Sequence, residues 1–220
     1  GNQIMNQVPI RIALADDSDL MLAGAKATLE HEPGYQVVGC ASLLADLLAC
    51  LDEWKPQVVI LSEWLYDTDI LNAVEQVLAT QAEVAILVLG ALTDGLLIQE
   101  LLTKGVKGYL YRADTLCPHL PLAVANVLRG KVFLSPTASA EYLTSRHSPE
   151  PKPLLDETAR AVLKQLAQGQ TIGQIALALH LPRRQVYSIR ARLRRRFHAD
   201  TNEHLISRAV AEGFAWLPNG

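Results

Sequence analysis

Five short apolar runs recur through the first 135 residues: Ile10–Ala15, Tyr35–Ala41, Val58–Leu61, Val84–Leu89 and Gly108–Tyr111. Segments of helical periodicity separate and follow them, at Leu20–Glu32, Leu43–Trp54, Asp69–Thr80, Gly95–Lys104 and His119–Arg129. This alternation restricts the fold more than any other feature. A strand that is apolar at successive positions needs cover on both faces, and intervening helices of about 10–15 residues supply it as crossovers of a parallel sheet.

Right-handed crossovers and an open five-stranded sheet give the α/β, flavodoxin-like strand order 2-1-3-4-5. Such sheets carry their functional crevice at the carboxyl ends of the strands. That rule selects Asp16, Asp17, Ser62, Gly90 and Arg112.

Charge divides the chain. Residues 1–135 hold 8 basic and 16 acidic residues, whereas residues 153–220 hold 10 and 5, within a whole of net −3. Between them, residues 136–153 carry Pro136, Ser145, Ser148, Pro149, Pro151 and Pro153, the composition of a linker, although Ala138–Leu143 suits a helical extension. Three units follow: 1–135, a linker at 136–153, and a basic unit at 154–220.

Composition also excludes classes. The longest apolar stretch, Val84–Leu92, has nine residues, far below the roughly 20 that span a bilayer. No charged segment followed by an apolar one opens the chain, so no secretory signal is read. Cys40, Cys50 and Cys117 are odd in number and widely spaced, which fits a reducing cytoplasm; Cys40 and Cys50 read as structural. No HExxH, phosphate loop or nucleophile elbow occurs, so neither a resident metal nor an enzyme activity is expected.

The basic unit reads as four helices: Asp156–Gln168, Ile172–His180, Arg183–His198 and Asn202–Glu212. Gly169 and Gly213 stand where helix-ending glycines belong, and Thr171 suits an N-cap. Ile172, Ile175, Ala176 and Leu179 form one apolar face, Leu181 plugs the turn, and Pro182 opens the next helix. From Arg183 to Arg196 there are seven arginines and no acid in fourteen positions. At 100° per residue, Val186, Ile189, Leu193 and Phe197 point to the core. Arg184, Ser188, Ala191 and Arg195 point away, flanked by Tyr187 and Arg192. With Arg183, this outward set is the candidate contact to the major groove and phosphates of double-stranded DNA.

Residues 154–214 resemble the LuxR-type helix-turn-helix of NarL/FixJ response regulators through Leu163, Leu166, Ala167, Gly169, Ile175-Ala176, Leu179, Val186, Leu193 and Arg208-Ala209…Gly213. The resemblance implies base and phosphate contacts from Tyr187, Ser188 and Ala191. It also implies a dimerisation helix carrying Leu205, Ile206 and Ala209. The family's lysine in the recognition helix is absent, so the operator is not read from these residues. A homodimer would engage half-sites about one helical turn apart.

Residues 10–130 resemble a receiver domain. Asp16-Asp17 match the family's Mg²⁺-binding acids, and Tyr109 falls on its switch aromatic. The other pocket positions depart. The third strand ends in Ser62 where the family has its phosphate-accepting aspartate, the fourth ends in Gly90 where a hydroxyl residue is usual, and Arg112 replaces the lysine. A serine hydroxyl without a base is a poor nucleophile, and losing a carboxylate weakens or abolishes the Mg²⁺ site. The expectation is a pseudo-receiver, independent of phosphorylation, that controls dimerisation or masks the recognition helix in answer to a binding protein, a small ligand, redox state or protein concentration, with Tyr109 as packing rather than a moving switch. Arg112 is expected to bridge Asp16 and Asp17. Alternation turns Glu63 away from the pocket. Two competing readings stay open: a conventional phosphorelay output using Asp67 or Asp69 as substitute acid, and an adaptor whose arginines meet an acidic protein.

Overall fold

The structure, a computed structural model, describes residues 8–63, 65, 68, 70–91, 94–147, 155 and 157–211. The linker residues Ser148, Pro149, Pro151 and Pro153, the substitute acids Asp67 and Asp69, and Gly213 lie outside them.

Six parallel strands form one sheet in the order β2-β1-β3-β4-β5-β6: β1 Ile10–Ala15, β2 Tyr35–Ala41, β3 Val58–Ser62, β4 Ala85–Gly90, β5 Gly108–Tyr111 and β6 Phe133–Leu134. The first five follow the expected order. The sixth was not expected; two residues carry no readable periodicity, and only the pairing of Gly108 with Phe133 and Tyr109 with Leu134 defines it.

Period-two alternation sorts the strand side chains onto two cores. Ile12, Leu14, Val58, Ile60, Leu87, Leu89 and Leu110 pack under α1 (Asp19–Glu30) and α5 (Leu116–Leu128). Ala13, Ala15, Val59, Leu61, Ile86, Val88 and Tyr109 face α2 (Leu44–Trp54), α3 (Ile70–Thr80) and α4 (Gly95–Thr103). Helix α5 starts three residues before the sequence reading, because Pro118 sits in its first turn, where no N–H is needed.

The stretch read as linker begins with α6, Pro136–His147, longer than the extension at Ala138–Leu143. Its Ala138 is fully buried and it packs on α4 so closely that a Cβ on Gly95 would meet the Glu141 carbonyl at 2.3 Å. Asp114 ties down its first turn, accepting from the Thr137 N–H at 3.1 Å and the Thr137 hydroxyl at 2.5 Å.

The C-terminal unit contains α7 (Glu157–Ala167), α8 (Ile172–Ala178), α9 (Arg183–Arg196) and α10 (Asn202–Ala211). Thr171 caps α8 in a reciprocal box with Gln174. Gly169 turns the chain after α7 at φ +77°. Val186, Ile189, Leu193 and Phe197 fill its core as the 3.6-residue period requires.

Candidate functional site

Strand ends β1, β3, β4 and β5 bring the five selected residues together in one crevice. Asp16, Asp17 and Ser62 are all buried there. The Arg112 guanidinium enters from β5 and donates through Nη1 to Asp16 Oδ2 at 2.5 Å and to Ser62 Oγ at 2.8 Å. Arg112 thus neutralises an acid of the pair, as expected, but it does so between Asp16 and Ser62 rather than by bridging the two carboxylates.

The cation that reaches Asp17 comes from the other unit. Arg184 Nη1, on α9, lies 3.3 Å from Asp17 Oδ2. Burial pushes the Asp17 carboxyl above the ordinary carboxylate range; Arg184 pulls it down, and the Asp16 charge adds to the rise. Each of the two carboxylates thus faces a guanidinium, and the third group of the crevice is a neutral alcohol.

Gly90 and Tyr109 are complementary. The Tyr109 ring is 1% exposed and turned inward, and a Cβ on Gly90 would lie 1.7 Å from its hydroxyl oxygen. The space that a hydroxyl residue would need at the end of β4 is filled by the tyrosine.

Glu63 corrects the alternation argument. It is 2% exposed, not turned to an outer face. Its Oε2 accepts from the Ala91 N–H at 2.7 Å, just past β4, and its Oε1 accepts from the Ser188 hydroxyl of α9. A strand's period ends with the strand, and Glu63 lies one residue beyond β3.

The same contacts cover the outward cationic face of α9. Ser188 and Ala191 are buried at 3% and 2%, and Arg195 Nη2 pairs with Asp94. Arg195 Nε lies 3.3 Å from Glu100 Oε2, and Arg192 Nε 3.9 Å from Asp94 Oδ2. Asp94 also caps α4, accepting from the Leu96 and Leu97 N–H groups at 3.0 and 3.2 Å. The helix face that points away from its own core therefore lies on the carboxylates of the first unit. The physical reason is the charge division itself: an acidic crevice and an arginine helix in one chain attract. Arg183 remains exposed, and Arg190 stacks 5.2 Å over the Tyr187 ring.

On α10, Leu205 and Ala209 are fully buried in the core of their own unit, which corrects their placement at a dimer contact; Ile206 is partly exposed. Cys40 is exposed rather than structural, Cys50 is partly buried, and Cys117 is exposed with its Sγ 3.9 Å from the Thr28 hydroxyl. Among the described residues no group of three or more acids, histidines or cysteines is arranged to hold a metal ion, and no helix is long and apolar enough to cross a membrane.

No family model matches the chain. Response regulator UvrY of Escherichia coli is 24% identical over 208 residues, spanning 93% of this chain and 95% of the relative. DevR/DosR of Mycobacterium tuberculosis, a DNA-binding transcriptional activator, is 25% identical over 188 residues, 84% of this chain and 86% of its own. Among solved structures, the response regulator RcsB of Salmonella typhimurium superposes with a TM-score of 0.61 at 18% identity, covering 92% of this chain and 99% of that one. Its fold extends over both units. The chain is similar over most of its length to response regulators, and its fold is a flavodoxin-like receiver fold followed by a helical C-terminal domain.

Proposed function

We propose that this protein is a DNA-binding transcriptional regulator whose receiver-like domain works without phosphate and holds the recognition helix α9 until DNA or another partner competes for it. One observation carries the reading. Arg184, Ser188 and Arg195 of α9 are engaged by Asp17, Glu63, Asp94 and Glu100 of the first domain. Carboxylates stand where DNA phosphates would stand against an arginine helix. The relative DevR/DosR is by name DNA-binding, and RcsB has been solved as dimers on DNA; both support DNA as the partner, and the second supports a dimeric bound state.

Phosphate independence rests on the pocket. Ser62 offers a neutral alcohol, and its oxygen already accepts from Arg112. The guanidinium groups facing both acids support the reading that the family's Mg²⁺ site is lost or weak here. Incubation with acetyl phosphate and Mg²⁺, followed by intact mass, is expected to show no acid-labile phosphoryl adduct; such an adduct would restore the conventional reading.

The DNA arm is tested on fragments recovered by immunoprecipitation. The full chain should shift them with a log–log salt slope of about −4 to −5 if about five phosphates are engaged. Asp94→Asn with Glu100→Gln keeps the α4 cap but removes the charge facing Arg195. That double variant should bind about tenfold more tightly, the return on roughly 1.4 kcal/mol of lost docking. Unchanged affinity would show that docking does not restrain α9, and failure of all forms to bind would favour a protein adaptor.

A further inference from the structure

The docked domains do not meet flush. Between α3, α4 and α9 lies a cavity of about 680 Å³, inside the range of roughly 300–1,000 Å³ occupied by small-molecule sites. Its charged wall is shared. Lys104, Glu75 and Glu100 come from the receiver-like domain, and Arg190, Arg194 and Arg195 from α9, with His198 and Asp200 completing the rim. Two of the acids are already committed, Glu75 to Lys104 and Glu100 to Arg195.

A second observation points to an anion. Arg195 Nη1 is buried without a hydrogen-bond acceptor among the described residues, on a side chain only 12% exposed. A buried charged donor is unfavourable until something accepts from it. The Tyr187 ring, against which Arg190 stacks, adds a flat apolar surface beside the guanidinium groups. Guanidinium clusters match phosphate oxygens in geometry as well as charge.

We infer that this interdomain cavity binds a small phosphorylated anion, its phosphate between Lys104 and the arginines of α9 and its remaining body against Tyr187. Such a ligand touches both domains at once, so it binds the docked form and strengthens docking. By reciprocity it lowers affinity for DNA. The binding is independent of the function proposed above; the effect on DNA rests on it.

The probe is inorganic pyrophosphate, titrated calorimetrically into the full chain at ionic strength held constant with sodium chloride. Saturable one-to-one binding is expected, at least fivefold weaker in Lys104→Ala and weaker again in Lys104→Glu. Lys26→Glu, an exposed change on α1 away from the cavity, should leave it unaltered. Circular dichroism melts of each variant establish that it is folded. Absence of saturable heat at millimolar pyrophosphate overturns the site. So does affinity indifferent to Lys104, which would mean that the anion merely decorates the arginines of α9. In gel shifts, saturating pyrophosphate should weaken DNA binding severalfold in the parent chain and much less in Lys104→Ala. Intact pyrophosphate binding in a protein that never binds DNA strikes at the proposed function and leaves this site standing.

Discussion

Arg112 occupies the crevice as a fixed counter-charge, held between a carboxylate and an alcohol that are both nearly inaccessible to water. Removing it strands Asp16 in a buried position, and Arg112→Ala should lower unfolding stability by about 3–5 kcal/mol in urea titrations. Adding Asp16→Asn to that variant should recover part of the loss; single and double variants of equal stability would count against the pairing. Gly90 sets a second residue-level test. Serine there would drive its Cβ into the Tyr109 hydroxyl, and expelling a buried ring should cost about 1–3 kcal/mol in thermal or chemical melts. A Gly90→Ser protein as stable as the parent would mean that Tyr109 moves freely. The neutralising role of Arg112 was legible from the sequence, because an arginine at the end of β5 must lie near the acids at the end of β1. Its partner set was not. The Asp17 contact comes from Arg184, 167 residues away, and strand periodicity carries no information about it.

At the level of elements, the first five strands were readable because each is buried on both faces and so apolar at successive positions. β6 and the full length of α6 were not, since one is two residues long and the other has little apolar periodicity. What anchors α6 is a side-chain contact. Burial tends to raise the Asp114 carboxyl, but hydrogen bonds from Ser135 and Thr137 outweigh it and hold the pKa below the ordinary carboxylate value. A depressed carboxyl contributes stability above its unfolded pKa, near ~3.9, and loses it as pH falls through the lower folded value. Asp114→Asn should therefore melt below the parent at pH 7, with the gap closing as pH drops from about 4 toward 2. A gap that persists through that window would place the effect in packing. Helix α9 shows both sides of legibility. Its core face followed from the 3.6-residue period, whereas its other face read as solvent-directed because a helical wheel knows only one domain.

For the whole molecule, the contacts joining the domains are largely charged and lie partly open: the Arg184 and Arg192 side chains remain about 30% exposed. Salt should weaken them, as screening shortens from about 8 Å at 0.15 M to 3 Å at 1 M. Small-angle scattering is expected to report a larger radius of gyration in 1 M than in 0.05 M sodium chloride, with helical content unchanged; an invariant radius would show that apolar contacts hold the docking. Docking also sets two virtues of the chain against each other. Under the proposed function, the guanidinium groups that strengthen the resting molecule are those it would have to give up to grip DNA. Laboratory evolution for heat resistance should therefore gather mute regulators, and selection for loud ones should gather fragile proteins.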